Sequence, residues 1–236
     1  MANRPVQQSP TGLSTGIATA ALALGRRFAA GGTMWCWAPG SPHHAQHLAV
    51  EFVHPVITGA RALPAVSLLE DDAVAELRSL ARGGDVLVVV APADAPVAPL
   101  VRRAQAWGLT SVWLGAGPHP PEGTADHVLW LGDDSAAWHD GSVVLGYHLL
   151  WELTHVCFEH PGLLTPAPDT GEDGGDVCIT CSDEGRLGEV TSLGAEIATV
   201  RTACGTETIS TMLIPPVAVG DLVLVHAGMA ITVVDA

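Results

Sequence analysis

The chain has 236 residues, 48% of them hydrophobic, and a formal net charge of −15. Its 10 basic residues are dispersed, which excludes the cationic surface that nucleic-acid phosphates require and disfavours an anionic membrane. No apolar run reaches bilayer length and Met1–Pro10 has no signal-type apolar core, so a soluble, cytoplasmic protein is expected. Leu13, Ile17, Ala20, Ala21, Leu24 and Phe28 recur at helical spacing. Thr33–Trp37, apolar and preceded by a glycine pair, reads as a strand. His44–Val53 reads as a helix with Ala45, Leu48 and Phe52 on one side, and Asp72–Ala81 as another, closed by Gly83-Gly84. Asp85–Ala91 (DVLVVVA) has the continuous apolar character of a strand covered on both faces. Val97–Trp107 is a helix stopped by Gly108; Thr110–Leu114 and His127–Leu131 are strands; Ser142–Glu159 is a long helix ending before Pro161. Strands alternating with helices imply a parallel sheet between two helical layers, an α/β sandwich over residues 1–160.

Residues 161–176 (PGLLTPAPDTGEDGGD) are rich in Pro, Gly and Asp and read as a linker. Residues 177–236 have another texture. Gly188–Ser192, Glu196–Arg201, Glu207–Leu213, Asp221–Val225 and Ala230–Val234 are short β-type runs separated by turn residues, the pattern of a small closed or nearly closed barrel. The cysteine count of 5 is odd, which fits reduced thiols better than a disulfide scaffold. Cys36 and Cys157 lie in apolar stretches and read as buried small hydrophobes. Cys178 and Cys181 instead form a C-x-x-C pair after the polar linker.

Three segments of the C-terminal part form one constellation: VCITCS at 177–182, GRLGEV at 185–190 and VGDLVLVHAGMAI at 219–231. Together they resemble the HypC/HupF family, whose pattern is an early Cys, a strand carrying G-[KR]-V and a closing V-G-D-x-V-L-V-H-x-G-x-A-I. The resemblance implies an OB-like barrel and a chaperone of [NiFe]-hydrogenase maturation. Such a chaperone handles or delivers iron bearing cyanide and carbon monoxide ligands, with a HypD-type protein and the hydrogenase large-subunit precursor as partners. It assigns the essential thiol to Cys178 and an associated imidazole to His226. Low-spin iron suits a soft thiolate donor, and a nearby imidazole lowers a thiol pKa. Cys178 is internal here, where the family has a cysteine freed at the mature N-terminus. Two other readings stay open: half of a zinc site with Cys204 and His226, or a redox pair.

Trp37–Glu51 (WAPGSPHHAQHLAVE) resembles the first loop and helix of sugar-isomerase (SIS) domains of the phosphoheptose isomerase type, G-N-G-G-S-x-x-D-A-Q-H-x-x-x-E, and Gly146–His160 resembles their last helix. The resemblance implies acid–base work or zinc at His47, Glu51 and His155, and a ligand contact at Ser41. The family's glutamine position falls on Tyr147, with His148 beside it; His43 and His44 read as loop histidines. The phosphate loop S-T-S-G-N-S is replaced by Ala91-Pro92-Ala93-Asp94-Ala95-Pro96, which removes hydroxyl donors and two backbone N–H groups. The expectation is a repurposed domain that supports homo-oligomers. A phosphosugar isomerase, or a sugar-phosphate-binding protein, with an accessory barrel is the alternative, so whether the chain is an enzyme stays open.

Overall fold

The computed structural model describes residues 10–56, 59–68, 73–165 and 185–234. Five parallel strands form one sheet: β1 (Met34–Trp37), β2 (Ala65–Leu68), β3 (Val86–Val90), β4 (Thr110–Gly115) and β5 (His127–Trp130), in the order β2-β1-β3-β4-β5. Side chains alternate across it. Val86, Val88 and Val90 face one core with helices α1 (Pro10–Ala29), α2 (Pro42–Val53) and α5 (Ser142–Glu159). Leu87 and Val89 face the other core with α3 (Ala73–Leu80) and α4 (Ala98–Ala106). Burial on both faces is why β3 reads as an unbroken apolar run. β1 is flanked by β2 on one side and β3 on the other, so the chain changes direction there. The loops after β1 and β3 meet at this switch point, where open α/β sheets bind ligands.

Strand β2 has no counterpart in the sequence reading. It is a four-residue edge strand that follows Pro64, pairs only with β1 and leaves Val66 exposed, so no apolar run or clean alternation announces it. Pro161–Leu163, inside the stretch read as linker, forms a 3₁₀ turn.

Residues 186–234 form a closed barrel of β6 (Arg186–Leu193), β7 (Ile197–Thr202), β8 (Gly205–Ser210), β9 (Leu222–His226) and β10 (Met229–Val234), in the order β10-β8-β7-β6-β9. Its core is Val190, Ala198, Val200, Ile209, Val223, Val225 and Ala230. β8 starts earlier and stops earlier than the run Glu207–Leu213 predicts, because the chain turns at Thr211–Ile214 ahead of two prolines. The β9–β10 hairpin turns on two residues, Ala227 (φ 48°) and Gly228 (φ 76°), both left-handed as a tight hairpin of this twist demands. The barrel lies against α3 and α4: Leu222 is fully buried within the second core of the sheet, and Leu187 and Val234 pack on that core. Among the described residues, no helix is long and apolar enough to cross a membrane.

Candidate functional site

The two loops at the switch point carry few free donors. Ser41 caps the start of α2 by position, but its side chain makes no capping hydrogen bond, Pro42 follows it, and its N–H donates to the Ala38 carbonyl at 3.0 Å. In the loop after β3, Ala91 N–H donates to Leu114 O, Ala93 N–H to Ala116 O and Ala95 N–H to Pro92 O. Pro92 and Pro96 have no N–H. These three donors are spent inside the fold, and Asp94 adds a carboxylate, so the loop is poorly suited to cradle a phosphate as an open helix-entry loop does.

Beside these loops, α2 and α5 bring a cluster of rings together. His47 and Glu51, one turn apart on α2, share a face. His47 Nε2 lies 3.2 Å from Glu51 Oε1 and 3.3 Å from His148 Nε2; His148 Nε2 lies 3.9 Å from the same Glu51 oxygen. One ligand atom from each residue therefore falls within 4.8 Å of the other two. Ligands about 2.0–2.1 Å from a tetrahedral zinc ion sit about 3.3 Å apart, so this triangle fits such an ion with little movement. Two imidazoles and a carboxylate leave one position open for water or substrate.

Buried Tyr147, beside His148, points its hydroxyl at His47 Nδ1, 2.8 Å away. Burial, then the Glu51 charge, pushes its phenol up to about 12. It therefore stays neutral and can donate to Nδ1, or accept from it when Nε2 holds a metal. His44 extends the cluster, with its ring edge-on to Tyr147 and Trp138. Partial burial, followed by the charges of His43 and His47, holds His44 below the usual imidazole range.

His155, expected from the sequence to join His47 and Glu51, is not part of this triangle. It lies two turns beyond His148 on α5, about 10 Å along the axis. It is buried, with Nδ1 3.0 Å from Trp151 O, Nε2 3.1 Å from Arg61 O, and its ring against Phe52 and Trp151. Both ring nitrogens face backbone carbonyls and are committed to packing. His148 is the residue the sequence argument passed over. Its signal was its position seven residues before His155, on the same helix face.

In the barrel, His226 ends β9 and is exposed, pairing across the hairpin with Met229. Arg186, the first residue of β6, pairs with Val225 in an antiparallel register, beside His226. Cys178 and Cys181 lie outside the described residues. Cys204 is exposed in the turn between β7 and β8, whereas Cys36 and Cys157 are buried and burial raises both thiol pKa values. At the barrel mouth Arg186 and Glu207 form an ion pair that holds the Glu207 carboxyl below its usual range.

Residues 185–236 match the family model described as the HupF/HypC family. The N-terminal part is similar to a phosphoheptose isomerase of Nitratidesulfovibrio vulgaris (strain DSM 19637 / Miyazaki F), at 29% identity over 164 residues, 61% of this chain and 76% of the relative. Among solved structures it is similar to a phosphoheptose isomerase from Francisella tularensis, with TM-score 0.54 and 20% identity over 60% of this chain and 86% of that one. One from Neisseria gonorrhoeae gives TM-score 0.52 and 21% identity over 61% and 87%. The N-terminal α/β layer thus has the SIS fold, and the barrel carries HupF/HypC sequence.

Proposed function

We propose that the chain is a chaperone of [NiFe]-hydrogenase maturation whose barrel handles iron, with its cyanide and carbonyl ligands, as cargo through the Cys178 thiolate and the His226 imidazole. The observation that carries this reading is the family match over residues 185–236, which includes His226. Two features support it. The barrel's first strand begins at Arg186, paired with Val225 next to His226, and Cys178 is seven residues upstream of Gly185 in the sequence. Seven residues of chain span at most about 25 Å, which bounds the distance from Cys178 to Gly185. A soft thiolate suits low-spin iron, and a neighbouring imidazole can draw off its proton. A HypD-type protein and the large-subunit precursor are the expected partners. Replacing Cys178 with Ala in a host that depends on this protein should abolish hydrogenase maturation, while the purified wild type, isolated with its HypD-type partner, should show cyanide and carbonyl stretches in the infrared. Full maturation with Cys178→Ala would overturn the assignment.

A second reading, a phosphosugar isomerase or sugar-phosphate-binding protein with an accessory barrel, is favoured by the His47–Glu51–His148 cluster and by the similarity of the N-terminal part to a phosphoheptose isomerase. When a zinc-type ion is bound there it would polarise a substrate carbonyl or hydroxyl. The three side chains would hold it and Tyr147 would orient His47. The spent loop after β3 argues against phosphate-bearing substrates. Exposed Val50, Leu145 and Leu149 on α2 and α5 supply apolar surface for self-association beside the cluster. Turnover of a heptulose phosphate that disappears with His47→Ala would establish this reading; no turnover across several phosphosugars would remove it.

A further inference from the structure

The face joining α3 and α4 to the barrel is built around a buried carboxylate. Glu189, on β6, is 1% exposed, and its neighbours are cations and donors of the α/β domain. Arg78, on α3, donates to it from Nε at 3.2 Å and also from Nη2. Trp107 Nε1, just after α4, donates to Oε2 at 2.9 Å. Arg103 Nε, on α4, lies 3.6 Å from Oε1, at ion-pair distance. The barrel returns a cation in the opposite direction: Arg201, on β7, donates to Arg78 O at 3.0 Å and Ala81 O at 2.9 Å. These are carbonyls at the C-terminal end of α3, where a positive charge is favourable. Its guanidinium also lies 5.0 Å from the Trp107 ring centre.

The apolar part of the contact is continuous. Leu222 has no exposed surface and belongs to the same cluster as Trp107 and Leu77. Fit is close as well. A Cβ on Gly108 would come within 3.1 Å of the Ala203 Cα. A barrel taken away from this face would expose Leu222, Leu187 and Val234, and would take the Glu189 carboxylate away from Arg78 and Arg103. Buried apolar cores of this kind mark permanent interfaces, whereas transient domain contacts are polar.

We propose that the α3–α4 face is a dedicated dock for the chain's own barrel, that the two parts form one permanent body, and that Glu189 is the residue by which the dock selects its occupant. A barrel with Lys or Arg at this position would set a third cation against Arg78 and Arg103 and be rejected, since like charges in a buried contact are strongly unfavourable. This gives the α/β domain a task that needs no phosphate loop: it carries the barrel and covers the outward side of β6 and the start of β9. The inference stands on the contact alone, independently of any hydrogenase role.

The test uses the full chain with a protease site inserted between Pro168 and Asp173. After cleavage, the two pieces of the otherwise wild-type chain should still co-elute in gel filtration at micromolar concentration. Separation of the pieces would overturn the proposal without recourse to any substitution. Glu189→Lys in the same background should weaken the association of the cut pieces by at least about 30-fold, and Glu189→Gln by less. Cut pieces that associate equally well with Glu189→Lys would refute Glu189 as the selector. Circular dichroism of each released piece separates undocking from unfolding.

Discussion

The triangle of His47, Glu51 and His148 between α2 and α5, read as a zinc site, makes a prediction in which binding and stability part company. His148→Ala removes one of the three ligand atoms. Orienting partners outside the ligand set are alone worth roughly 10- to 100-fold in metal affinity, so loss of a ligand should weaken zinc binding by more than about 100-fold. His148 is half-exposed on α5, with its ring against His47 and its neighbour Tyr147, so the melting temperature should move little. Tyr147→Phe keeps the ligands and deletes the hydroxyl 2.8 Å from His47 Nδ1, and should weaken zinc by roughly 10-fold. His155→Ala should do the reverse of His148→Ala. It leaves the triangle intact but strips the Arg61 carbonyl of its partner and opens a gap against Phe52, at a cost of about 1–3 kcal/mol. Titration calorimetry against a competing chelator, paired with thermal melts, reads both quantities. Zinc affinity that falls with His155→Ala and survives His148→Ala would refute the geometric argument and restore the ligand set expected from sequence.

Two further outcomes follow from the barrel. Ala227 sits at φ 48°, where a Cβ costs about 1–2 kcal/mol and glycine's extra flexibility about half that, so Ala227→Gly should stabilise the chain by about 0.5–1 kcal/mol in chemical denaturation. The Arg186 hydrogen bond, more than its charge, depresses the Glu207 carboxyl. A depressed carboxylate contributes stability that is complete above its unfolded value of 4.5 and is lost as pH falls through the folded value. Glu207→Gln should therefore lower stability at neutral pH, converge with the wild type at low pH and so flatten the acid limb of the stability–pH profile, as followed by melts across that range.

Much of the architecture was legible because its signals are local. The all-apolar β3, the helical spacing of α1, α2 and α5, and the closing motif around His226 each occupy one short stretch. What escaped was set by packing between stretches. β2 is an edge strand whose only sequence mark is its proline neighbour. The choice of His148 over His155 depends on where α5 crosses α2, since both lie on one face of the helix and only the crossing decides which meets His47. Glu189 reads as an ordinary polar residue on a strand. Its burial follows from Arg78, Arg103 and Trp107, which are remote in sequence and reach it only once α3 and α4 are in place.

The sheet itself has a consequence for how the two ends of this molecule can work together. The ring cluster belongs to the layer of α2 and α5, and the barrel rests on the layer of α3 and α4, with five strands between them. A substitution at the ring cluster therefore has the whole thickness of the sheet between it and the barrel face, and the two can be altered independently: changes at His47 or His148 should leave the barrel's docking on α3 and α4 as it was.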